Sequence, residues 1–307
     1  MQASHRLVWS GDVMKKNVSI IILNYNDSEN TTKFVNEISK YSILKSIVVV
    51  DNNSKKEDYE KVLLLSSEKV TVIQSDKNGG YSYGNNFGIN FLEKNKKTDY
   101  VIISNPDVSV SEESIKKCID YLQKKENVAI VAPRMIYTNG KARRSAWKRR
   151  TALIDIANST RITQALLYYF FKSGEYSKND YMESVLEVDN ISGAFFVADF
   201  KKFKEIGFFD DNVFLFYEED IIGNKLKEKG YEICSLNDIE FIHYDSKTIG
   251  KFFNLFKKQD ILFNSRIYYQ KKYNKASFFT LMIFYFLKYY RKLELLIEVP
   301  IRKIFFN

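Results

Sequence analysis

The chain has 307 residues, 45% of them hydrophobic, and a formal net charge of +9 at pH 7. A chain of this length and apolar content can bury a full core, which excludes a disordered or low-complexity protein. Its two cysteines, Cys118 and Cys234, are too few for a disulfide framework, so a reducing compartment is expected.

The positive charge is concentrated in residues 247–307, which hold 13 Lys or Arg and 3 Asp or Glu and are rich in Phe and Tyr. Because the rest of the chain has no recognised nucleic-acid-binding motif, we expect an anionic membrane surface, and no nucleic acid, as the partner of this tail. Its apolar runs are shorter than the roughly 18 residues of a spanning helix, which favours lying on the membrane. Packing on the rest of the chain or on a second copy is the alternative.

Residues 1–13 lack an apolar stretch of useful length and are interpreted as a leader or a cloning remnant. After them, short β-branched runs alternate with segments of helical periodicity, the first of which repeats Phe34, Val35 and Ile38 after Ser28 and Thr31. The predicted strands are residues 18–23, 46–50, 70–73, 100–103 and 128–132. This βαβ series predicts an α/β fold with a mostly parallel sheet and helices on both faces.

Polar clusters follow three of these strands directly, at residues 24–27, 51–54 and 104–107. Ligands bind beyond the carboxyl ends of strands in open parallel sheets, so the clusters predict one site. Asp51 can accept hydrogen bonds from a base or a ribose. Asp107 could serve beside a diphosphate only with a divalent cation between them, and it is equally consistent with a turn or a helix cap.

A stretch rich in glycine and asparagine, residues 78–86, follows the third strand and precedes a helical pattern. Glycine lets the backbone approach a ligand, and a helix start attracts anions. The stretch matches neither the GxGxxG pattern nor a phosphate loop ending in GK[ST], which argues against a dinucleotide enzyme or an NTPase.

Three successive acids, Glu218, Glu219 and Asp220, follow an aromatic run. Bringing three carboxylates together is costly unless a cation, a helix start or a catalytic task uses them, so one is a candidate general base. His243, which follows the strand-like residues 239–242, is the only histidine beyond residue 13. It is a structural residue or, if it lies near Asp107, a metal ligand.

The periodicity weakens between residues 139 and 187, which open with six basic residues within 141–150. This basic run is either a flexible loop on the acceptor side of the site or a solvated surface. Residues 188–197 are strand-like again, and residues 203–231 combine a turn with an acidic helix. Beyond residue 246 we predict amphipathic helices, which divides the chain into a body at 14–246 and a helical region at 247–307.

Six blocks taken in order, over about residues 18–246, resemble the inverting glycosyltransferases of family 2 with the GT-A fold. Within these they resemble the rhamnosyltransferase-like bacterial members of polysaccharide and O-antigen assembly. The blocks are VSIIILNYN, VVVDNNS, NGGYSYGNNFG, SNPDV, SGAFFVADFKKFKEIGFFDDNVFLFYEED and IHYDS. The resemblance implies a metal-dependent enzyme that moves a sugar from a nucleotide diphosphate donor.

The resemblance also implies roles for individual residues. Asp220 matches the catalytic base, with Glu219 beside it. Asp107 matches the last acid of a DxD-type metal motif, and His243 matches a histidine that adds a second contact to Mg²⁺ or Mn²⁺. The implied donor-binding set is Asn24, Tyr25, Asp51, Asn78, Gly79, Asn86 and Asn105.

Two departures from the family pattern affect these roles. Asn105 stands where a full DxD motif has an acid, which leaves fewer anionic ligands for the metal. Residues 222–225 replace the Asp and later Arg that follow the Glu–Asp pair in many relatives, which affects contacts to the acceptor.

The expected donor is a dTDP- or UDP-linked sugar, with rhamnose among the candidates. The expected acceptor is a lipid-linked oligosaccharide or a polysaccharide in cell-surface glycan synthesis. This predicts a cytoplasmic protein, peripheral on the inner face of a bacterial membrane, and leaves a homodimer open.

Two other classes compete with this interpretation. A sugar-nucleotide nucleotidyltransferase would need a glycine-rich basic loop, which residues 21–27 lack. A noncatalytic glycan- or membrane-binding protein would not need Asp107, Asp220 and His243.

Overall fold

The computed structural model describes residues 16–143, 145–167, 175–177, 179–244 and 254–305, with side chains up to residue 300. The predicted leader therefore lies outside the described residues. Within the described part, a nine-stranded sheet is flanked by helices on both faces, as the α/β prediction requires.

The first half of the sheet confirms the predicted βαβ series. Its strands β1, β2, β3 and β4 are mutually parallel in the spatial order β3-β2-β1-β4. The elements are β1 (Val18–Asn24), α1 (Ser28–Ile38), β2 (Leu44–Asp51), α2 (Lys56–Leu63), β3 (Val70–Gln74), α3 (Gly80–Asn95) and β4 (Tyr100–Ser104).

The second half of the sheet is mixed and continues the order as β4-β10-β6-β11-β5, with β8 also paired to β11. Its elements are β5 (Val108–Val110), α4 (Glu112–Lys124), β6 (Val128–Ile136), β7 (Ala146–Trp147), α5 (Ala152–Ala157), α6 (Arg161–Leu167), β8 (Val185–Val188), β9 (Asn190–Ile191), β10 (Phe195–Asp199), α7 (Phe200–Glu205), α8 (Glu218–Glu228) and β11 (Glu232–His243). β10 is antiparallel to both β4 and β6. It follows β9 through a short turn without a crossover helix, so it need not run parallel to its neighbours.

Two apolar cores cover the two faces of the sheet. Successive residues of β1 belong to different cores. Ile20 and Ile22 pack with Phe34 on one face, whereas Ile21 packs with Ile89 on the other. This follows from the two-residue period of a strand. Cys118 and Cys234 are free and buried.

Two further helices complete the described chain, α9 (Leu255–Lys272) and α10 (Phe278–Phe305). α9 buries Phe263, Ile267 and Tyr269, and Tyr269 joins a small core with Tyr217 and Ile221 of the body. α10 lies along α9 and buries Phe284, Leu287 and Leu295. Among the residues described, no helix has the length and hydropathy of a membrane-spanning segment.

Candidate active site

A buried side-chain network joins the first two polar clusters at the carboxyl ends of β1 and β2. Parallel pairing sets Asn24 opposite Asp51. Asn24 Nδ2 donates to Asp51 Oδ1 at 2.8 Å and to Asp58 Oδ1 at 2.9 Å, and Asn24 Oδ1 accepts from Thr31 Oγ1 at 2.8 Å. Because Asn24 is fully buried in these contacts, it holds this edge of the site in shape.

Asp51 is fully buried as well. Its Oδ2 accepts from the Ser54 backbone N–H at 3.0 Å and from Gln74 Nε2 at 3.1 Å. A carboxylate offers about four acceptor positions, so one more donor, such as a ribose hydroxyl, can still be accommodated. Tyr25, half-buried, follows Asn24 directly.

The glycine-rich stretch starts α3 at Gly80, whose φ of +89° lies in the left-handed region. A Cβ at Gly80 would lie 1.9 Å from the carbonyl oxygen of Phe214, and the Tyr81 N–H donates to that oxygen at 2.9 Å. Asn52 Nδ2 donates to Asn78 Oδ1 and to the Gly80 carbonyl, both at 3.1 Å. Glycine thus allows the donor-side loop to pack directly on the segment that precedes α8.

Two members of the implied donor-binding set, Gly79 and Asn86, pack against other residues of the protein. A Cβ at Gly79 would come within 2.3 Å of the Tyr83 ring. Asn86 Nδ2 donates to the Phe209 carbonyl at 3.1 Å and to Asp211 Oδ1 at 2.6 Å, and Asn86 Oδ1 accepts from the Phe209 N–H at 3.2 Å. Asn86 thereby clamps the loop at residues 208–217 to α3, and its contact with a donor stays a prediction.

Asp107 and His243 are brought together by the pairing of β5 with β11, which sets His243 opposite Val108. His243 Nε2 lies 3.3 Å from Asp107 Oδ1, and both side chains are largely buried. Arg143 Nη1 lies 3.0 Å from His243 Nδ1. Since a guanidinium only donates, Nδ1 is the acceptor of this contact, and the tautomer that fits it carries its proton on Nε2.

These two side chains fit a divalent cation as a partial ligand set. Within the described ranges, no group of three or more His, Cys, Asp or Glu side chains is arranged to hold a metal by itself. Mg²⁺ is commonly bound by one or two carboxylates, with substrate phosphates and water as the remaining ligands, so Asp107 with His243 suits an ion that arrives with a diphosphate. Nε2 could bind a metal only if the ring proton moved to Nδ1, which requires Arg143 to leave that nitrogen.

The predicted base lies in the first turn of α8, where Asp220 is only 2% exposed. The two residues before the helix, Phe216 and Tyr217, both have φ of 71°. Bulky side chains rarely adopt this left-handed conformation, and such strain persists where the surrounding structure enforces it. The bend directs the helix start into the protein, so that Glu218 and Asp220 are buried.

Burial raises the pKa of Asp220 to about 7, while the charge of Arg150 and the hydrogen bond from Trp147 act in the opposite direction. Burial also raises the pKa values of Glu218 and Glu219, and the charge of Glu219 raises that of Glu218 further. A carboxyl group that titrates near neutrality is suited to general-base catalysis there.

Gly193 joins the helix of the predicted base to the other parts of the candidate site. Its N–H donates to Glu219 Oε1 at 3.0 Å, and its carbonyl accepts from the Tyr81 hydroxyl at 2.6 Å. A Cβ at Gly193 would lie 2.8 Å from the Tyr81 hydroxyl oxygen, which explains the need for glycine. The next residue, Ala194, accepts from the Asn105 N–H at 2.9 Å. The Asp107 loop and the first turn of α8 therefore contact adjacent residues.

Two site residues were not singled out by the sequence, Trp147 and Arg150. Trp147 Nε1 donates to Asp220 Oδ1 at 3.0 Å, and Arg150 Nε lies 3.3 Å from the same oxygen. Both lie within the basic run at residues 141–150, and that run is the only feature of the sequence that pointed to this segment as part of a site. With Arg143 at His243, three residues of this run contact the candidate site.

Comparison with known proteins defines the class. A profile of glycosyl transferase family 2 matches residues 19–207, and the chain belongs to this family. A curated relative, the low-salt glycan biosynthesis hexosyltransferase Agl10 of Haloferax volcanii, is 26% identical over 231 residues, which cover 75% of this chain and 68% of the relative.

Solved structures share the GT-A-like fold. GalNAc-T7 with UDP, GalNAc and Mn²⁺ has a TM-score of 0.56 at 16% identity, over 75% of this chain and 44% of that one, so the chain spans less than half of its length. The mannosyltransferase PcManGT of Pyrobaculum calidifontis, with GDP-Man and Mn²⁺, has a TM-score of 0.55 at 14% identity, over 89% of this chain and 70% of that one. These likenesses establish the fold alone.

Proposed function

We propose that the protein is a metal-dependent inverting glycosyltransferase that moves a hexose from a nucleotide diphosphate sugar to an acceptor hydroxyl. The observation that carries the proposal is the junction at Gly193 and Ala194, which links Glu219, beside Asp220, to Asn105 of the Asp107 loop. Membership of the family and the hexosyltransferase relative support the reaction. The Mn²⁺ bound in two structural relatives supports a divalent metal.

In the proposed reaction, the Asp220 carboxylate takes the proton of the acceptor hydroxyl while the hydroxyl oxygen bonds to the anomeric carbon. The bond between that carbon and the diphosphate oxygen breaks, and the diphosphate leaves with the electron pair, so the configuration inverts. Asp107 and His243 would hold the Mg²⁺ or Mn²⁺, which supplies positive charge beside the leaving diphosphate. Asp51 accepts a hydrogen bond from the nucleoside.

The donor and acceptor are proposed from the resemblance. The NPD form of the metal motif at residues 105–107 resembles that of rhamnosyltransferase-like enzymes, so dTDP-rhamnose is the first donor to test and UDP-linked hexoses are the next. The proposed acceptor is a lipid-linked oligosaccharide or a growing polysaccharide of a cell-surface glycan. The relative from a glycan biosynthesis route supports glycan assembly.

An exposed apolar surface on α10 supports the lipid-linked acceptor. Every exposed residue of α10 up to residue 300 is apolar or aromatic, and we name this set the outer face of α10. It comprises Phe278, Phe279, Met282, Ile283, Tyr285, Phe286, Tyr289, Leu293, Leu296, Ile297 and Pro300. Contiguous apolar surface of this extent marks an interaction site.

The charges of the tail favour an anionic membrane as the partner of this face. Its three acids already contact cations of the protein: Asp260 pairs with Lys292 at 2.8 Å, and Glu294 and Glu298 both pair with Arg291 at 2.8 Å. The excess of 13 Lys or Arg over 3 acids in residues 247–307 therefore remains as net positive charge. An amphipathic helix of this kind binds at the bilayer interface. We propose a peripheral position on the cytoplasmic face.

Titration calorimetry with nucleotides tests the reaction class. We expect dTDP or UDP species to bind more tightly with Mg²⁺ or Mn²⁺ than with a chelator, and the preferred base to identify the donor class. Absence of nucleotide binding with either metal would overturn the enzyme assignment and favour a noncatalytic binding protein.

Flotation with vesicles tests the membrane proposal separately. The wild type should float with phosphatidylcholine vesicles that contain phosphatidylglycerol, and less with phosphatidylcholine alone. The double variant F286S/L293S should lose flotation, whereas L64S/M182S, which changes two even more exposed apolar residues elsewhere, should retain it. Equal flotation of both variants would contradict the proposal, as would a dimer in sedimentation that F286S/L293S alone dissociates.

A further inference from the structure

The short strand β7 places Trp147 beside the catalytic helix. β7 pairs antiparallel with β9, with Trp147 opposite Asn190, and the Ser192 N–H donates to the Ser145 carbonyl at 2.7 Å. α8 approaches β9 closely at Gly223, where a Cβ would lie 2.2 Å from Asn190 Oδ1. The pairing and the glycine together bring the basic run at residues 141–150 against the first turn of α8.

All hydrogen bonds and ion pairs that the described residues make with the Asp220 carboxyl group end on one of its two oxygens. Trp147 Nε1 donates to Oδ1 at 3.0 Å, Arg150 Nε lies 3.3 Å from the same atom in an ion pair, and Asn190 Nδ2 also lies 3.3 Å from it. Trp147 and Arg150 approach from one segment, three residues apart. The carboxyl group is therefore fixed through Oδ1.

Arg150 is itself held by a second buried acid. Its Nη1 lies 3.8 Å from Asp155 Oδ1, and its guanidinium lies over the Tyr217 ring at 5.3 Å. Asp155 is fully buried and accepts from the Tyr217 hydroxyl at 2.7 Å and from Gln270 Nε2 of α9 at 2.6 Å. One cation thus serves two buried acids, and α9 fixes the second of them, which restricts where the guanidinium can go.

We propose that Trp147 and Arg150 are positioning residues of the transfer reaction, which bind Oδ1 of Asp220 and leave Oδ2 to take the proton from the acceptor hydroxyl. This rests on the proposed function. The acceptor O–H bond breaks, its proton passes to Oδ2, and the freed oxygen bonds to the anomeric carbon as the diphosphate departs. Neither positioning residue gains or loses a proton in this step.

The arrangement also sets the pH at which the base is charged. Burial raises the pKa of Asp220, and Arg150 limits that rise. The base acts in its deprotonated form, so the rate rises with pH through this pKa, and loss of the Arg150 charge must move the rise to higher pH. The other groups around Asp220 are Glu218 and Glu219 on α8, Tyr217 before it, Asp155 and Asn190 of the body, and Tyr269 on α9.

The test compares the pH dependence of kcat/KM in R150M, R150K, W147F and a control, K148M, which changes an exposed cation of the same segment. For R150M we expect the acid-side midpoint to rise by about one pH unit or more, because an adjacent opposite charge shifts a carboxyl pKa by about that much. The rate at pH 7 should fall about tenfold and recover partly near pH 9. R150K and W147F should shift less, and K148M not at all. Nucleotide affinity should be unchanged in all four.

A ¹³C NMR titration of the carboxyl groups gives a second readout that needs no turnover. The Asp220 resonance is assigned by its loss in D220N, and its midpoint should rise in R150M and W147F but not in K148M. Unchanged midpoints in R150M, by rate and by NMR, would overturn the positioning role. If the wild type transfers no sugar, the proposed function fails, and the NMR titration still decides whether Arg150 controls the charge of Asp220.

Discussion

The proposed donor side and the proposed catalytic side of the site are built differently. Asn24 and Asp51 lie on adjacent parallel strands, and their hydrogen bonds run to partners within the first 75 residues. Asp220 is instead surrounded by groups from distant segments, including Trp147, Asn190 and the Gly193 loop that holds its neighbour Glu219. The donor side is part of the local βαβ fold, whereas the catalytic side forms only when the whole chain has folded.

The two sides also differ in how their polar groups are satisfied. Asp51 accepts from three internal donors, so it supports the fold. At the catalytic side, buried Asp220 has a raised pKa and follows two left-handed aromatic residues. A raised carboxyl pKa and a strained backbone both cost folding stability, and functional sites retain them because they serve reactivity. We therefore expect donor-side variants to lose stability and catalytic-side variants to lose turnover.

The largest expected effect is the loss of transfer in D220N. Removal of a general base lowers the rate by about 10² to 10⁴-fold, while the buried isosteric amide leaves nucleotide affinity and thermal stability nearly unchanged. Transfer is measured by release of the nucleoside diphosphate. D211N, which changes an exposed acid of the loop at residues 208–217 bonded to Asn86, is the control and should keep its rate. Near-normal turnover by D220N would show that Asp220 is not the general base and that the proposed catalytic side is misplaced.

The second effect concerns the metal. D107N removes the charged ligand next to His243, and loss of a charge-assisted contact costs about 1.5 to 3 kcal/mol, or roughly 10- to 150-fold in affinity. Nucleotide diphosphate binding with Mn²⁺ should weaken by that factor, and binding in chelator should stay the same. Calorimetry measures both. An equal loss in the two conditions would indicate that Asp107 supports the fold and not the metal.

The third effect tests stability on the donor side. D51A removes the carboxylate acceptor of three hydrogen bonds, two of them buried, and a hydrogen bond to a charged group contributes about 1.5 to 3 kcal/mol before the loop relaxes. The free energy of unfolding in urea should fall by at least about 2 kcal/mol, whereas E57A, at an exposed acid nearby, should match the wild type. A D51A protein of full stability that merely fails to bind nucleotide would show that the donor side is not part of the folding core.

The same contrast explains what the sequence could predict. The parallel half of the sheet and the polar strand ends follow from local periodicity, and β1, β2, β3 and β4 lie where the apolar runs indicate. The contact of Asp107 with His243 depends on β5 pairing with β11 across more than a hundred residues. From the sequence, His243 could therefore be predicted as a metal ligand only on the condition that it lies near Asp107. Trp147 and Arg150 lie in a segment without periodicity, and their contact with Asp220 depends on the two-residue strand β7, which no pattern marks.

The smallest expected effect tests whether the donor side extends to Asn86 on α3. The family resemblance implies that Asn86 binds the donor, yet its amide makes three hydrogen bonds to Phe209 and Asp211. If these bonds are its main role, N86A should lower the free energy of unfolding by about 1 to 2 kcal/mol and weaken nucleotide binding by no more than about threefold. Urea unfolding and calorimetry on the same sample measure both. A stable N86A protein with tenfold weaker nucleotide binding would instead extend the donor site onto α3, because the amide would then have left Phe209 to contact the ligand.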